Sequence, residues 1–392
     1  MDMEKKYLVV NIGSASKKYG LYGAGQLLSV HMEKGADLIC TIKTAAGSED
    51  FSAKADDYDN ASAFIVEQAK KRGFITGPGD ITAIGMRIVA PGMYFQENRL
   101  ISDDYRAKLE LAREMAPLHI NPVLAELDAI KTWSDATPLY GISDSAFYKD
   151  MPVEAKFYGL PEDIATQYQV YRYGYHGISM RSIVGKLEKM GSMPPRLIIC
   201  HLGSGSTVTA LHDGQPIDTS MGFTPLEGVP MGSRVGNIDA GAVIFLAKKL
   251  GGSLDELETI LNTRSGLLGI SGKTQFVKDL IDLEKSGDVA AGRALAIFGR
   301  AVKKYIGAYM ALLGGLDMLV FTATIGERSD ILRDRICSDL ESLNIHFDPV
   351  KNNATIDGDG FIEKDGNQLK IAVLGTDEMG EMARSLGDFQ PV

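Results

Sequence analysis

The sequence predicts a mixed α/β protein of two domains that share one design. Its 392 residues exceed the roughly 250–300 that a single hydrophobic core usually supports. Strand-like and helix-like segments alternate along the chain, as they do in α/β folds. An apolar strand followed by a Gly/Ser loop occurs at Tyr7–Ser16 and again, 190 positions later, at Leu197–Ser206. We therefore expect two domains, each carrying one copy of this motif.

Each copy of the motif predicts a β-hairpin. The loop leads into a second short strand, at 18–22 and at 208–212, and then into a glycine-bearing turn. Small residues let backbone N–H groups approach phosphate oxygens, and serine hydroxyls add hydrogen-bond donors. Strand plus Gly/Ser loop is a common pattern, so coincidence is the alternative. Two copies in similar register favour a pair of hairpins that clamps a polyphosphate.

The remaining elements follow from apolar periodicity and from signals at helix ends. We predict helices at 59–71, 103–115, 123–133, 238–250, 253–261 and 289–313, the last one ended by Gly314-Gly315. We predict strands at 81–89, 139–143, 318–322 and 371–374. Segment 323–327 is predicted to be a loop at the carboxyl edge of its strand, where ligands of open α/β sheets bind.

The composition argues against several classes of protein. A net charge of −10 with only 41 Lys and Arg disfavours nucleic-acid binding, which rewards clustered positive charge. No apolar run reaches the roughly 18 residues of a membrane helix, and the N-terminus lacks a signal-peptide pattern. The three cysteines are widely spaced, which indicates reduced thiols and no metal cluster. We expect a cytoplasmic protein that acts on small molecules.

Four polar residues at predicted loop positions are candidates for chemistry, namely Asp144, His176, Arg234 and Glu378. Each has a structural alternative. Asp144 can be a helix N-cap, and His176 can be a hydrogen-bonded turn histidine. Arg234 can brace its own loop, and Glu378 can begin the last helix. Together with two phosphate-type hairpins, these residue types are typical of phosphoryl transfer.

Five longer runs resemble the acetate kinase family. They are Asn11–Ser16, Arg172–Gly177, Cys200–Gly205, Asp218–Gly228 and Ser265–Gly269. Because they occur in order along the whole chain, the chain is identified as a member of that family. The resemblance implies duplicated ribonuclease-H-like domains of the actin-like ATPase superfamily, with the active site in an interdomain cleft. We place the domains at 1–146 and 147–379, with the C-terminal helix 380–392 rejoining the first.

The resemblance further implies reversible phosphoryl transfer from ATP to acetate or a similar short carboxylic acid. Mg²⁺ or Mn²⁺ would assist, and the protein would be a homodimer. Two alternatives stay open. One is a version of the same reaction that uses pyrophosphate or polyphosphate, and the other is a non-catalytic protein that binds a nucleotide or an acyl phosphate.

The resemblance also implies roles for individual residues. The catalytic residues would be Asp144, His176 and Arg234, and the metal would be held by Asn11 and Glu378. The acid would contact Arg87, with an acyl pocket lined by Val89, Leu118, Tyr175 and Pro225. The nucleotide would contact Lys18, Ser14, Ser16, His201, Leu202, Gly203, Ser204, Gly205, Phe276, Val277, Lys278, Thr324, Ile325, Gly326, Glu327 and Arg328.

Elementary chemistry supports this assignment. A carboxylate substrate is already ionised at pH 7, so the reaction needs positive charge and positioning more than a strong base. Arg87 can hold the acid, while Arg234 and His176 can neutralise charge on the transferring phosphoryl group.

Two departures from the family pattern affect the residues expected to recognise the nucleotide. Phe276-Val277-Lys278 replaces Asp-(Phe/Met)-Arg, and Thr324–Arg328 replaces Gly-Ile-Gly-Glu-Asn. We therefore predict weak discrimination among nucleotides.

Tyr175 stands where the family usually has Phe, and its hydroxyl either finds a partner or makes the pocket less favourable for long acyl chains. Short acids are the expectation.

Overall fold

The computed structural model describes residues 5–13, 16–34, 37–134 and 136–389. Its strands are β1 (Tyr7–Ile12), β2 (Ser16–Tyr22), β3 (Gln26–Lys34), β4 (Leu38–Thr44), β5 (Gly47–Ser52), β6 (Ala83–Ile88), β7 (Arg99–Leu100), β8 (Leu139–Ser143), β9 (Arg196–Leu202), β10 (Ser206–His212), β11 (Gln215–Thr219), β12 (Met318–Thr322), β13 (Gly360–Phe361) and β14 (Lys370–Val373).

Its helices are α1 (Ala55–Asp59), α2 (Ala61–Lys71), α3 (Asp103–Ala112), α4 (Pro117–Lys131), α5 (Val153–Lys156), α6 (Glu162–Tyr168), α7 (Gly177–Lys189), α8 (Ala240–Lys249), α9 (Leu254–Thr263), α10 (Gly266–Ser271), α11 (Val277–Lys285), α12 (Val289–Leu313), α13 (Ala323–Arg328), α14 (Asp330–Cys337), α15 (Pro349–Ala354) and α16 (Glu378–Gly387).

The chain forms two compact units. The first comprises Met1–Lys149 and Asp377–Val392, of which the described residues are those given above, and the second is Asp150–Thr376. The first unit therefore contains the C-terminal helix α16. The boundary at residue 149 lies three residues beyond the one expected from the sequence.

Both units contain a mixed sheet with the same central arrangement. The eight-stranded sheet of the first unit has the order β5-β4-β3-β2-β1-β6-β8-β7, and the six-stranded sheet of the second has the order β11-β10-β9-β12-β14-β13. Strands β1, β6 and β8 are parallel, as are β9, β12 and β14. An antiparallel hairpin, β1–β2 or β9–β10, flanks each parallel set. This repeated topology confirms the duplicated α/β fold.

Helix α12 follows the apolar pattern predicted for it. Asp288 caps its start, because the carboxylate accepts hydrogen bonds from the backbone N–H groups of Ala290 and Ala291 at 2.9 Å. Gly314 ends it in the left-handed conformation, with φ of 67°. Between these ends, α12 packs against α10, α11 and α14 and against strands β9 and β10. Its buried face belongs to the core of the second unit.

Four predicted elements need correction. Helix α4 begins at Pro117 rather than at residue 123, because Pro117 occupies the first turn and the helix continues through Pro122. The helix predicted at 59–71 is two helices, α1 and α2, separated at Asn60. Helix α8 begins at Ala240, after its cap Asp239. Segment 323–327 is helical rather than a loop, since it belongs to α13.

No helix in the described part of the chain is both long and apolar enough to cross a membrane.

Candidate active site

In the first unit, polar residues lie at the carboxyl ends of three neighbouring parallel strands. Asn11 is near the end of β1, Arg87 is in β6, and Asp144 directly follows β8. Val10 pairs with Met86, so the next residues, Asn11 and Arg87, lie on one face of the sheet. Helix α16 packs against β1 and β6, and Glu378 is its first residue.

Arg87 connects two of these carboxylates. Its Nη2 donates to Asp144 Oδ2 at 2.9 Å, and its Nη1 donates to Glu378 Oε2 at 3.3 Å. Burial alone would lower the pKa of the Arg87 guanidinium, but the two carboxylates outweigh this effect and raise it. Arg87 is therefore a permanent cation held between Asp144 and Glu378.

Arg87 Nε and Glu378 Oε1 are buried and have no hydrogen-bond partner among the described residues. A guanidinium with a spare donor suits an anionic substrate, and a spare carboxylate oxygen suits a cation. Glu378 and the side-chain oxygen of Asn11 are hard ligands of the kind that Mg²⁺ prefers.

The donor set for a metal is small. Within the described residues, no group of three or more His, Cys, Asp and Glu side chains is arranged to hold a metal ion. Mg²⁺ usually takes one or two protein oxygens and completes its shell with water and substrate phosphates. Asn11 and Glu378 therefore fit Mg²⁺ bound together with a phosphorylated substrate.

The structural alternatives for Asp144 and Glu378 have different outcomes. Ser145, not Asp144, is the N-cap of the short 3₁₀ helix Ala146–Tyr148, and the Asp144 carboxylate binds Arg87. Glu378 does begin the last helix, where Asp377 is the cap. Its carboxylate also reaches Arg87, so the helix start and the ion pair are compatible.

The lysines after the first Gly/Ser loop lie on opposite faces of the sheet. Lys17 Nζ forms a 2.8 Å ion pair with Glu126, a buried carboxylate on α4. Lys18 is exposed and lies directly opposite Asn11 in the β1–β2 register. The loop closes through a 2.8 Å bond from the Gly13 N–H to the Ser16 carbonyl. Ser14 lies outside the described residues.

In the second unit, two histidine rings are stacked. The centroids of His176 and His201 are 4.2 Å apart, with an interplanar angle of 18°. His176 Nδ1 is 2.8 Å from Thr207 Oγ1, and His201 Nδ1 is 2.8 Å from Ser179 Oγ. Each ring is therefore held by a hydrogen bond at Nδ1. His176 is the N-cap of α7 and has a positive φ of 61°.

Arg234 lies beside this pair. A Cβ atom added to Gly205 would be 3.2 Å from His176 Nε2 and 3.5 Å from Arg234 Nη1. Gly205 is therefore required for the close approach of both side chains. Arg234 donates to the Pro225 carbonyl at 3.3 Å and to Met231 Sδ at 3.7 Å, and it forms no ion pair with any described carboxylate. Burial lowers its pKa below the ordinary range.

The loop Leu202–Gly205 is built from close backbone contacts. The Gly203 N–H donates to the Gly205 carbonyl at 3.0 Å, and the Ser206 hydroxyl donates to the Gly203 carbonyl at 3.2 Å. The Gly232 N–H reaches the Ser204 carbonyl at 3.1 Å. Leu202 is buried, whereas Ser204 is exposed. These contacts hold the backbone of the loop in place and leave Ser204 exposed.

The four residues expected to line an acyl pocket are divided between the units. Val89 is half-buried just after β6, and Leu118, in the first turn of α4, is 53% exposed. Tyr175 and Pro225 are buried in the second unit. The Tyr175 hydroxyl donates to the Phe223 carbonyl at 2.7 Å. Of the two outcomes expected for this hydroxyl, the structure therefore has the one in which it finds a partner.

The residues expected to contact a nucleoside lie at the start of α11 and within α13. Phe276 is the N-cap of α11 and is 60% exposed, with buried Val277 and exposed Lys278 after it. In α13, Thr324 is exposed, Ile325 packs against the core, and Arg328 pairs with Asp357 at 3.0 Å. Gly326 is buried, and its backbone lies against Phe321.

Sequence reasoning missed the residues that hold the candidate side chains in place. Thr207 and Ser179 fix the two histidines, and Glu126 holds Lys17. Thr207 and Ser179 are fully buried. The sequence does not distinguish them from the other Ser and Thr residues of β10 and α7.

Comparisons with known proteins identify the family. The family model described as the Acetokinase family matches residues 6–384. Acetate kinase from Bacillus cytotoxicus is 35% identical over 395 residues, covering 97% of this chain and 98% of its own. The crystal structure of Porphyromonas gingivalis acetate kinase has a TM-score of 0.85 at 32% identity, covering 97% of this chain and 98% of that one. A propionate kinase from Francisella tularensis has a TM-score of 0.88 at 30% identity, with the same coverage.

Proposed function

The chain belongs to the acetokinase family, and on this basis we propose that it transfers the γ-phosphoryl group of ATP to acetate or a similarly short carboxylic acid. The products are an acyl phosphate and ADP, and the reaction is reversible. The observation that carries the proposal is Arg234. It is a half-buried cation beside His176, with no described carboxylate to balance it. A phosphoryl group would supply the missing negative charge.

The first unit supplies the groups for the acid. Arg87 would bind the substrate carboxylate through its unpartnered Nε, while Asp144 holds the guanidinium in place from Nη2. Since the substrate is already an anion, Asp144 has no proton to remove from it. Asp144 therefore orients Arg87 rather than acting as a general base. Val89, Leu118, Tyr175 and Pro225 are the proposed contacts of the acyl chain.

The second unit supplies positive charge and hydrogen-bond donors for the phosphates. Arg234 and His176 would neutralise charge on the transferring phosphoryl group. The loop from His201 to Gly205 and the first-unit residues Ser14, Ser16 and Lys18 would hold the remaining phosphates. Asn11 and Glu378 would hold Mg²⁺ or Mn²⁺, which lowers the charge of the nucleotide phosphates when bound.

One observation favours a phosphoryl donor other than ATP. Phe276 is an exposed apolar residue, and Arg328 is engaged by Asp357. Neither offers the carboxylate and free arginine that would recognise ribose and purine by hydrogen bonds. Pyrophosphate or polyphosphate, which has no nucleoside, is therefore the alternative donor. A non-catalytic binding protein is disfavoured because Asn11, Arg87, Asp144, His176, Arg234 and Glu378 are all present.

A hydroxamate assay for acyl phosphate tests the reaction directly. Acetate, propionate and butyrate are each combined with ATP, GTP or pyrophosphate at equal Mg²⁺, and Arg234→Ala serves as the inactive control. We expect ATP to support product formation, with acetate and propionate ahead of butyrate. A strong preference for ATP with a micromolar KM would contradict weak nucleotide discrimination. Absence of product with every acid and every donor would overturn the enzymatic proposal.

We also propose that the protein is a homodimer in the cytoplasm. Helix α8 contains no buried residue, although Ile244 and Phe245 are each 57% exposed. Pairing α8 antiparallel with its copy would cover these side chains and place the basic end, Lys248, near the Asp239 cap of the copy. The three cysteines are buried free thiols, as suits a reducing compartment.

A further inference from the structure

Arg333 on α14 is a fully buried cation. It has no exposed surface, and no described Asp or Glu forms an ion pair with it. Arginine is almost never fully buried unless its charge is compensated. Burial lowers the pKa of Arg333 below its ordinary range. Its position therefore carries a cost that some other interaction must offset.

Main-chain carbonyls at two helix ends provide that interaction. Arg333 Nη1 donates to the carbonyls of Gly326 and Glu327 at 2.8 and 3.0 Å, at the end of α13. Nη2 donates to the carbonyls of Asn352 and Thr355 at 2.9 and 2.6 Å, at the end of α15. Terminal carbonyls of helices lack partners and carry partial negative charge. Arg333 thus caps two helices at once.

The start of α13 is strained, so the cap at its end matters more. Ala323 has a φ of 64°, a left-handed conformation that is unfavourable for a non-glycine residue. Its methyl group would lie 3.7 Å from a Cβ placed on Gly203, so the start of α13 packs against the loop Leu202–Gly205. A strained residue persists only where its surroundings hold it, and Arg333 is part of that support.

From α13, hydrogen bonds lead to the stacked histidines. Glu327 Oε1 accepts from the Thr376 N–H at 3.3 Å. Thr376 Oγ1 is 2.9 Å from Ser179 Oγ, which is 2.8 Å from His201 Nδ1. Each contact is made by a group that is buried or half-buried. The chain Arg333, Glu327, Thr376, Ser179 therefore ends on the ring that stacks against His176.

We propose that Arg333 is a positioning residue that sets the orientation of His201 through Glu327, Thr376 and Ser179. The inference rests on the proposed function, because it assigns His201 and its stacking partner to the phosphoryl-transfer site. Arg333 itself touches no substrate in this account. It fixes the end of α13, the Glu327 carboxylate fixes Thr376, and the two hydroxyls fix the imidazole.

A double-mutant cycle tests the coupling, with Arg333→Met and Ser179→Ala as the single variants. We expect each single variant to lower kcat about tenfold per folded molecule, while KM for the acid changes less than about twofold. Because both act on the same ring, the double variant is expected to lose about tenfold rather than a hundredfold. A hundredfold loss would show independent effects and would overturn the inference.

Control variants distinguish a loss of His201 orientation from a general loss of protein stability. Ile336→Ala removes a fully buried apolar side chain from the same helix, so it lowers Tm without removing a hydrogen bond to α13. Its kcat per folded molecule should equal that of the unmodified protein, and a tenfold loss there would contradict the proposal. If Arg333→Met does not fold, Arg333→Lys replaces it, since lysine keeps the charge but loses the forked geometry.

An NMR measurement tests the same chain without any activity. The imidazole signals of His201, assigned with His201→Gln, should shift in Ser179→Ala and in Arg333→Lys but not in Ile336→Ala. Unchanged His201 signals in Arg333→Lys would overturn the inference, whether or not the enzyme is active. An unmodified protein that is inactive with every acid and donor would instead overturn the proposed function.

Discussion

Arg87 and Arg234 are both shielded guanidinium groups, but their surroundings are opposite. Arg87 lies between the carboxylates of Asp144 and Glu378, whereas within the described residues the Arg234 guanidinium bonds to a carbonyl and a sulfur and to no carboxylate. A guanidinium paired with carboxylates, such as Arg87, suits binding of a substrate that is already an anion in the ground state. A guanidinium without such carboxylates, such as Arg234, favours the transition state, in which negative charge increases nearby. The two arginines are therefore expected to affect different kinetic constants.

Arg234→Ala should lower kcat about 10²-fold or more and change KM little, because its contact is strongest in the transition state. Arg87→Ala should mainly raise KM for the acid. Steady-state kinetics with varied acetate measures both. Arg106→Ala is the control, since Arg106 pairs with Asp128 at a more exposed site and should change neither constant. An exchange of the two phenotypes would overturn the assignment.

Tyr175 makes a stability prediction that is separate from catalysis. Its hydroxyl donates to the Phe223 carbonyl at 2.7 Å in a buried setting. Tyr175→Phe should lower the free energy of unfolding by about 1 kcal/mol, because the carbonyl loses its donor. Urea denaturation measures the change. An unchanged midpoint would mean that water replaces the hydroxyl at Phe223.

Helix α12 ends at a glycine with a positive φ, and two glycines of this helix test how much that conformation matters. Gly314 has a φ of 67°, and a Cβ added there would meet no atom within 4 Å. Gly314→Ala should therefore cost only backbone strain, about 1 kcal/mol. Gly307, inside the same helix, has equally open space and no positive φ. Gly307→Ala should stabilise the protein by about 0.5–1 kcal/mol.

Thermal unfolding of the two glycine variants checks this prediction. Opposite shifts in Tm are expected from the same chemical change in one helix. If Gly314→Ala were neutral, the helix end would be tolerant of a different C-cap conformation.

Strands β9 and β12 are joined at their starts by an ion pair that gives a pH prediction. Arg196 donates to Asp317 from Nε at 3.0 Å and from Nη2 at 2.6 Å. These bonds hold the pKa of Asp317 below its ordinary value. Stability from this pair is therefore complete above the ordinary aspartate pKa of about 4 and is lost as the pH falls through the lowered value.

Asp317→Asn should lower the free energy of unfolding at pH 7 by about 1 kcal/mol, a modest value because both side chains are about one-third exposed. The difference from the unmodified protein should shrink below about pH 4. Denaturation at several pH values measures it. Asp339→Asn is the control, because the Asp339 side chain is 97% exposed and 4.0 Å from Lys303. A pH-independent difference would show that the charge of Asp317 is not involved.

At the scale of the whole molecule, the apolar helix α8 predicts the assembly. Ile244→Asp should convert the proposed dimer to a monomer, because it places a charge in the covered face. Sedimentation equilibrium measures the mass. Leu111→Asp is the control, since Leu111 is 71% exposed on α3 of the other unit and should leave the dimer intact. A monomeric unmodified protein would overturn the proposal, as would a dimer that tolerates the Ile244 change.

The sequence by itself determined the features that depend on near neighbours in the chain. The two Gly/Ser hairpins, strand β8, strand β12 and helix α12 with its glycine stop have the predicted positions. Each depends on a local pattern, such as apolar periodicity or a residue that tolerates positive φ. The family followed from runs of adjacent residues in the same way.

Only the tertiary structure decided the partners of buried polar groups. Lys17 and Lys18 are adjacent in sequence, yet one pairs with Glu126 while the other faces solvent beside Asn11. Arg87 and Glu378 are bonded across 291 positions. Segment 323–327 is helical, and the residue that bonds its terminal carbonyls, Arg333, lies on the next helix. A buried charge must find compensation wherever packing brings a donor or acceptor, and packing is a property of the whole chain rather than of any segment.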